Sequence, residues 1–288
     1  MKTIFCFILT LGVSILSAQT HEDRTSMTFN ADQYDMLNLH NYKGEVTITA
    51  HNQSTIEVKA VRKLTATSSA KLEKAKQEVF LDSTVIDGTL IVFVNAPDRK
   101  LEINEDGQAY YNSNEWGNWN KKNMKKYDTR YEFILEVKMP ASMDLYASNH
   151  HSMLDVRGVN GKLIAKSHHK SVYVETGSTD VSVKSHHGDV TVNHTSGNVL
   201  KGNFKTHHGD IKTSFPDLSA RVEMTSHHGS LYTDFDYDYT ASQAKNSGNG
   251  KKTKYKSKGG ASIQIGSGKA ELYYKTHHGD SIISRTNS

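Results

Sequence analysis

Apolar and polar residues alternate along most of this chain, which is the period-two pattern of half-buried β-strands. The clearest alternating segments are 36–40, 44–50, 55–61 and 131–140. Asp87 and Gly88 separate two further apolar runs, 78–86 and 89–94, and form the dipeptide of a tight hairpin. One segment, 68–78, is rich in Ala, Lys and Glu and opens with serines suited to a helix N-cap. The pattern predicts an all-β protein with one short helix.

A repeat occupies the second half of the chain, where short apolar runs are separated by glycines and the dipeptide His-His occurs six times. The first members of the pairs are separated by 18, 18, 21, 20 and 50 residues. A period near 20 residues with two short strands per repeat predicts coils that stack in parallel, as in a β-helix or solenoid. The pairs are His150–His151, His168–His169, His186–His187, His207–His208, His227–His228 and His277–His278.

The apolar neighbours of the pairs set an expected register. Counting in twos from inward apolar residues reaches a Ser or Thr and then the second histidine, whereas counting from outward lysines reaches the first histidine. We therefore expect an exposed column of first histidines beside a lysine column, and a corner column of second histidines beside hydroxyl groups. The hydroxyl residues, predicted to form a structural ladder with the second histidines, are Ser167, Ser185, Thr206, Ser226 and Thr276.

The histidines admit two interpretations. As a surface or structural ladder they need no cofactor. As metal ligands, the first histidines His150, His168, His186, His207, His227 and His277 would share Zn²⁺, Ni²⁺ or Cu²⁺ between neighbouring coils, with Asp189, Asp210 and Asp280 as the available carboxylates. Catalysis is disfavoured, because a catalytic set occurs once and this motif is copied six times. No catalytic residue and no enzyme activity are predicted.

The segment 1–18 reads as a secretory signal peptide, with Lys2, an apolar core and small residues ending at Ala18. Export to the periplasm, the cell surface or the medium follows, and the only cysteine, Cys6, would leave with the leader. A polar lead (19–34) and a single solenoid domain (35–285) are expected, with irregular insertions at about 101–127 and 236–258. No later segment is long enough to be a transmembrane span.

The first insertion carries both tryptophans of the chain among asparagines and lysines. It is interpreted either as a surface insertion that packs on the sheet or as a ligand-binding loop for sugar. The residues of this candidate loop are Trp116, Trp119, Tyr110 and Tyr111. The formal net charge of +4 is too small, and its basic residues too dispersed, to indicate a nucleic-acid partner.

Three stretches resemble the bacterial putative adhesin family, domain of unknown function 4097. They are 39–48 (LHNYKGEVTI), the strand ending in 137–140 (VKMP) before repeated Ser/Thr-x-x-Gly units, and 258–263 with 276–282. The resemblance covers roughly 35–285 and implies a right-handed parallel β-solenoid in the envelope with an adhesive role. It implies no catalytic residues, and this chain departs from the family by placing His-His before the glycine.

Two functions remain as expectations. The first is a non-enzymatic, exported β-solenoid that presents a His/Lys ladder to a surface ligand, either protein or glycan. The alternative is an envelope protein that binds a divalent transition metal through the stacked pairs. The oligomeric state is left open by the sequence.

Overall fold

A computed structural model describes residues 18–103, 109–113, 127–240 and 260–286, and these form an all-β protein with two mixed sheets. One α-helix, α1 (Ser69–Glu78), and one 3₁₀ turn (Ala31–Gln33) accompany the strands. The strands are β1 (Gln19–Asn30), β2 (Met36–Asn41), β3 (Val46–His51), β4 (Thr55–Ala66), β5 (Phe80–Ile86), β6 (Thr89–Asn95), β7 (Arg99–Ile103), β8 (Ala109–Ser113), β9 (Arg130–Pro140), β10 (Asp144–Asn149), β11 (Leu154–Val159), β12 (Leu163–Ser167), β13 (Val172–Thr176), β14 (Asp180–Lys184), β15 (Val190–His194), β16 (Lys201–Lys205), β17 (Ile211–Phe215), β18 (Ala220–Thr225), β19 (Leu231–Thr233), β20 (Tyr237–Tyr239), β21 (Gly260–Ile265), β22 (Ala270–Lys275) and β23 (Ser281–Arg285).

Successive strands of the repeat region alternate between the two sheets. Sheet A has the order β1-β4-β9-β3-β11-β13-β15-β17-β23-β19, and sheet B has the order β20-β21-β18-β22-β16-β14-β12-β10-β2-β6-β5. The central strands of both sheets pair in parallel, whereas β1, β4, β5, β20 and β21 pair antiparallel near the ends. The sheets are therefore parallel where the sequence repeats and mixed where it does not.

The core lies on the inward positions of both sheets. On β12, Leu163 and Ala165 are fully buried and pair in register with Val181 and Val183 of β14, while the residues between them are half-buried. The same alternation runs through β13 to β17, and the inward side chains join one hydrophobic cluster. Parallel in-register pairing thus places equivalent residues of each repeat directly above one another.

Two local predictions are confirmed by the structure. The helix α1 has Ser68 as its N-cap, whose hydroxyl accepts a hydrogen bond from the Lys71 backbone N–H at 3.3 Å. The hairpin predicted around Asp87 and Gly88 is β5–β6, which pairs antiparallel over its whole length.

In the described residues, no helix is both apolar enough and long enough to span a membrane.

Three regions, the predicted polar lead and the two predicted irregular insertions, contain strands. The polar lead forms β1, an edge strand that pairs along twelve residues with β4 and packs the apolar Met27 and Phe29 against the core in part. At the first insertion, β7 and β8 pair antiparallel. Their sequences lack the alternation of aliphatic and polar residues from which the other strands were predicted. In the second insertion, β20 pairs with β21, and β21 runs antiparallel to β18 instead of resuming the parallel coils at residue 261.

The order of the last strands differs from chain order. Strands β22 and β23 lie between β16/β17 and β18/β19, although β18 and β19 precede them in sequence. Gly202 on β16 explains part of this strand order, because it pairs with Leu272 on β22. A Cβ added there would lie 2.7 Å from the Leu272 Cδ2 atom. The glycine therefore leaves the space that the leucine fills.

A pair of cysteine variants tests this order. In the chain starting at Gln19, Asn203→Cys with Tyr273→Cys joins neighbouring strands, so we expect a disulfide under mild oxidation. Asn203→Cys with Glu223→Cys spans two strand spacings, about 10 Å, and should stay reduced. Mass spectrometry after thiol labelling distinguishes them. A disulfide in the second variant and not in the first would mean that the strands stack in chain order.

Candidate functional site

The six histidine pairs follow the carboxyl ends of six strands of sheet B. Because these strands are parallel neighbours, the pairs line up along one edge, and we call each pair a rung. The order of rungs follows the sheet, so the His277–His278 rung lies between those of His207 and His227. The first column is, in spatial order, His150, His168, His186, His207, His277 and His227, and the second column is His151, His169, His187, His208, His278 and His228.

Both columns are continuous ring stacks. Neighbouring rings of the first column have centroids 4.7 to 4.9 Å apart and planes within 19° of parallel. In the second column the spacing is 4.6 to 5.5 Å, with planes within 12°. The two rings of one rung stand edge to face, 4.2 to 4.4 Å apart. The spacing along each column is that of neighbouring strands in a sheet.

Backbone hydrogen bonds fix the rungs to one another. The N–H of each second histidine donates to the carbonyl of a histidine on the preceding rung, as from His169 to His150 at 2.9 Å and from His187 to His168 at 2.9 Å. At the first rung, the His151 N–H donates to the Tyr42 carbonyl at 2.9 Å. The stack is therefore part of the backbone framework and does not depend on the imidazoles alone.

The exposure of the columns differs from the expected register. First histidines, predicted to be exposed, are mostly half-buried, and the Nδ1 atoms of His186, His207 and His277 are enclosed without a hydrogen-bond partner among the described residues. Second histidines, predicted at an inward corner, include the exposed His187 and His208. The reason is that β12 and its equivalents end before the pair, so the alternation of faces does not continue into it.

Buried hydroxyl groups close the turn after each pair. The Ser185 hydroxyl donates to the Lys170 carbonyl at 3.0 Å and accepts from the Gly188 N–H at 3.0 Å. Thr206 and Thr276 donate to the carbonyls of Gly188 and Gly209, each a glycine of the preceding rung. Ser167 and Ser226 accept from the backbone N–H three residues later. These residues satisfy backbone groups within the stack.

The first rung uses asparagine in place of the hydroxyl residue. The Asn149 amide donates to the carbonyls of Gly44 and Met153 at 2.9 and 3.0 Å. Asn41, its neighbour in register on β2, donates to the same Gly44 carbonyl at 3.0 Å and to the Phe133 carbonyl at 2.9 Å. A longer side chain with an N–H donor is required here because the adjoining turn differs from the later repeats.

The aspartates after the glycines do not face the imidazoles as metal ligands would. Asp189 Oδ1 accepts from the Asp210 N–H, Asp210 Oδ1 from the Asp280 N–H, and Asp280 Oδ1 from the Ser230 N–H, at 2.9 to 3.0 Å. They form a side-chain-to-backbone ladder of their own. Among the described residues, no group of potential metal ligands includes them.

Burial keeps five histidines of the first column neutral. It lowers the pKa of His150 to about 2 and that of His168 to about 4, and the neighbouring histidines lower both further. The same two causes lower the pKa of His186, His207 and His277. At neutral pH these rings are therefore uncharged and hold their nitrogen lone pairs.

Four lysines form a column beside the first histidines. Lys166, Lys184, Lys205 and Lys275 occupy the same register on four consecutive strands, β12, β14, β16 and β22. Burial, and then repulsion from Lys166 and Lys205, lowers the pKa of Lys184. Tyrosines support two of the others: Lys166 Nζ donates to the Tyr146 hydroxyl at 2.9 Å, and Lys205 Nζ lies 5.1 Å from the Tyr273 ring centroid. In the described chain no salt bridge neutralises these four lysines.

One end of the histidine columns is bounded by an aromatic residue that the sequence reading did not single out. The Tyr42 ring stacks on His150 with centroids 5.2 Å apart, and its hydroxyl lies 2.8 Å from His151 Nε2. The Arg99 guanidinium covers the Tyr42 ring. Next to this end, His150, His168 and His169 each place one ligating nitrogen within 4.8 Å of the others.

Two isolated histidines were also missed. His40 on β2 is 2% exposed beside Tyr146, and His194 on β15 is 1% exposed and stacked on Phe215 at 4.5 Å. Burial lowers the pKa of His40 to about 3 and that of His194 to about 4. Their position at strand ends with inward register was the signal available in the sequence.

The predicted ligand-binding loop is only partly placed. Tyr110 and Tyr111 lie on β8, which pairs with β7. Trp116 and Trp119 lie outside the described residues. The interpretation of these four residues as a ligand-binding loop stays a prediction.

Comparison with solved structures gives matches of low sequence identity. No protein-family model matches the chain, and no curated protein matches it. It is similar to a putative cell adhesion protein from Clostridium sporogenes (10% identity, 92% of this chain and 100% of that chain, TM-score 0.45). It is also similar to putative adhesins from Bacteroides fragilis (11%, 91% and 97%, 0.28) and Parabacteroides merdae (10%, 92% and 97%, 0.29). With TM-scores below 0.5, these similarities carry no functional assignment.

Proposed function

We propose that this chain is a non-enzymatic, exported β-solenoid of adhesin-like character whose lysine and first-histidine columns form the contact surface for a linear anionic ligand, such as an acidic polysaccharide. The observation that carries the proposal is the column of four lysines in register on consecutive strands. The alternation of parallel strands between two sheets supports the solenoid, and the predicted leader supports export to the periplasm, the cell surface or the medium.

The spacing of this surface suits a repeating ligand better than a compact one. Neighbouring strands are about 4.8 Å apart, so the four ammonium groups extend over about 14 Å. Like charges held this close repel each other, and an anionic partner relieves that repulsion. A linear polyanion contacts all four at once, while a single small anion contacts one or two. Tyr146 and Tyr273 add ring surface against which sugar rings can pack.

Binding of labelled polygalacturonate tests the proposal. The variant with Lys166, Lys184, Lys205 and Lys275 all changed to Gln is expected to bind at least about tenfold more weakly, with most of the difference lost at high salt. The matched control changes four exposed lysines elsewhere, Lys59, Lys74, Lys138 and Lys269, to Gln and therefore has the same net charge. Equal weakening in both variants would show that only net charge matters and would overturn the proposal; neutral dextran should not bind either form.

A further inference from the structure

We propose that His150, His168 and His169 bind one divalent transition metal ion of the Zn²⁺, Ni²⁺ and Cu²⁺ class. The set combines both histidines of one rung with the first histidine of the rung before it. Their ligating nitrogens lie within 4.8 Å of one another, and within the described ranges no other group of three such side chains meets this distance. His150 and His168 also belong to the proposed contact surface, but the metal site does not depend on the four lysines that carry that proposal.

The columns are most compact at this end. The diagonal between His150 and His169 measures 5.0 Å between ring centroids. The equivalent diagonals along the stack measure 5.7, 6.4, 6.3 and 5.9 Å. Although the sequence repeats six times, the geometry needed for three nitrogens to converge therefore occurs once. A specific site is expected at the first two rungs, with only weak binding farther along.

The surroundings hold this end in place. Tyr42 stacks on His150 and its hydroxyl bonds to His151, so the first rung is restrained from the side that lacks a further histidine pair. Backbone bonding from His169 to the His150 carbonyl fixes the spacing of the two rungs. The backbone is therefore organised before a metal arrives, and only side-chain rotation is needed for binding.

The donor set selects the metal class. Three imidazoles without thiolate or carboxylate suit borderline metals and disfavour Mg²⁺ and Ca²⁺, which take oxygen ligands. A tetrahedral ion with bonds of about 2.0–2.1 Å needs nitrogens about 3.3 Å apart. Small rotations of half-buried rings can supply this contraction. A fourth position stays open to water, as in three-histidine zinc sites.

Calorimetric titration with ZnCl₂ on a tag-free chain starting at Gln19 tests the site. We expect one ion bound with micromolar or tighter affinity, and no binding of Mg²⁺. In the variant His169→Asn the affinity should fall at least about tenfold. The matched control His208→Asn removes the equivalent side chain two rungs away and should change the affinity less than about threefold.

The variants also separate a site from general histidine affinity. Circular dichroism and thermal melting check that each variant folds; His169 is replaced on a half-exposed edge, so folding should be retained. Equal weakening in both variants, millimolar affinity, or several equivalent ions per chain would overturn the assignment. Polygalacturonate binding is tested on the four lysines, and with EDTA added it is independent of metal, so failure of one proposal leaves the other standing.

Discussion

Acidification from about pH 7.5 to about pH 4.5 is expected to lower the free energy of unfolding by about 5 kcal/mol or more, on the order of the whole stability of a typical domain. His40 and His194 account for about 5 kcal/mol of this loss in equal parts, since burial lowers their pKa values to about 3 and about 4 from an unfolded value of 6.5. A histidine with a lowered pKa favours the neutral folded state. Each such histidine therefore makes its full contribution to stability above pH 6.5. Below pH 6.5 the free energy of unfolding falls by about 1.4 kcal/mol per pH unit and per group, until the pH reaches the folded pKa.

The first histidine column adds to this loss in the same direction, because burial and neighbouring rings lower the pKa of His150 and His168 as well. Urea unfolding followed by circular dichroism at a series of pH values measures the effect. A flat profile between these pH values would contradict the burial of His40 and His194. Salt has little influence on the expected slope, because removal from water is the first cause at both sites.

His194→Phe identifies the contribution of one residue. Both ring nitrogens of His194 are enclosed without a hydrogen-bond partner among the described residues, and the ring stacks on Phe215. Phenylalanine keeps the stack and removes the two unsatisfied nitrogens, so stability at neutral pH should rise by about 1 kcal/mol. The loss on acidification should shrink by about 2.5 kcal/mol, which is the share of His194. The control His208→Asn changes an exposed ring and leaves His194 in place, so it should keep the larger loss on acidification.

Local sequence patterns were sufficient to predict the strands of the repeat region. Alternating apolar residues such as Val172 and Val174 place one face of each strand in the core, and the capping serine Ser68 defines the start of the helix. The order of the last strands in the sheets could not be predicted in this way. The insertion of β22 between β16 and β18 depends on how Gly202 and Leu272 fit together, and no period along the chain carries that information.

The sequence predicted that the histidines would stack, but it did not predict which ring of each pair would be enclosed. The repeat established that the histidines would stack, because parallel in-register strands superimpose equivalent residues. Which ring is enclosed depends on the turn after β12 and its equivalents, where alternation ends. Tyr42 escaped notice because its contact with His150 joins residues more than a hundred positions apart. Only the three-dimensional arrangement reveals that one of six similar rungs differs from the rest.

Gly44→Ala is expected to destabilise the protein by about 3–5 kcal/mol, a loss at the upper end for single substitutions. Gly44 has φ +108°, a conformation that only glycine adopts without strain. A Cβ there would lie 2.1 Å from the Phe133 carbonyl oxygen and 2.4 Å from its carbon, so both penalties act together. Since these contacts are with backbone atoms, rotation of a side chain cannot relieve them.

Gly44→Ala should also displace the first histidine rung. The Gly44 carbonyl accepts from Asn41 and Asn149, and Asn149 directly precedes His150, so displacement of the glycine moves the rung on which the proposed metal site depends. The control is Gly197→Ala, at which the nearest heavy atom would be 3.3 Å away. It should cost less than about 1 kcal/mol, because its φ is not positive. Urea midpoints compare the two variants; if Gly44→Ala unfolded at the same midpoint as Gly197→Ala, the close approach of β9 to this turn would be disproved. Where Gly44→Ala still folds, zinc titration should show weaker binding than in Gly197→Ala, since the backbone beneath His150 has shifted.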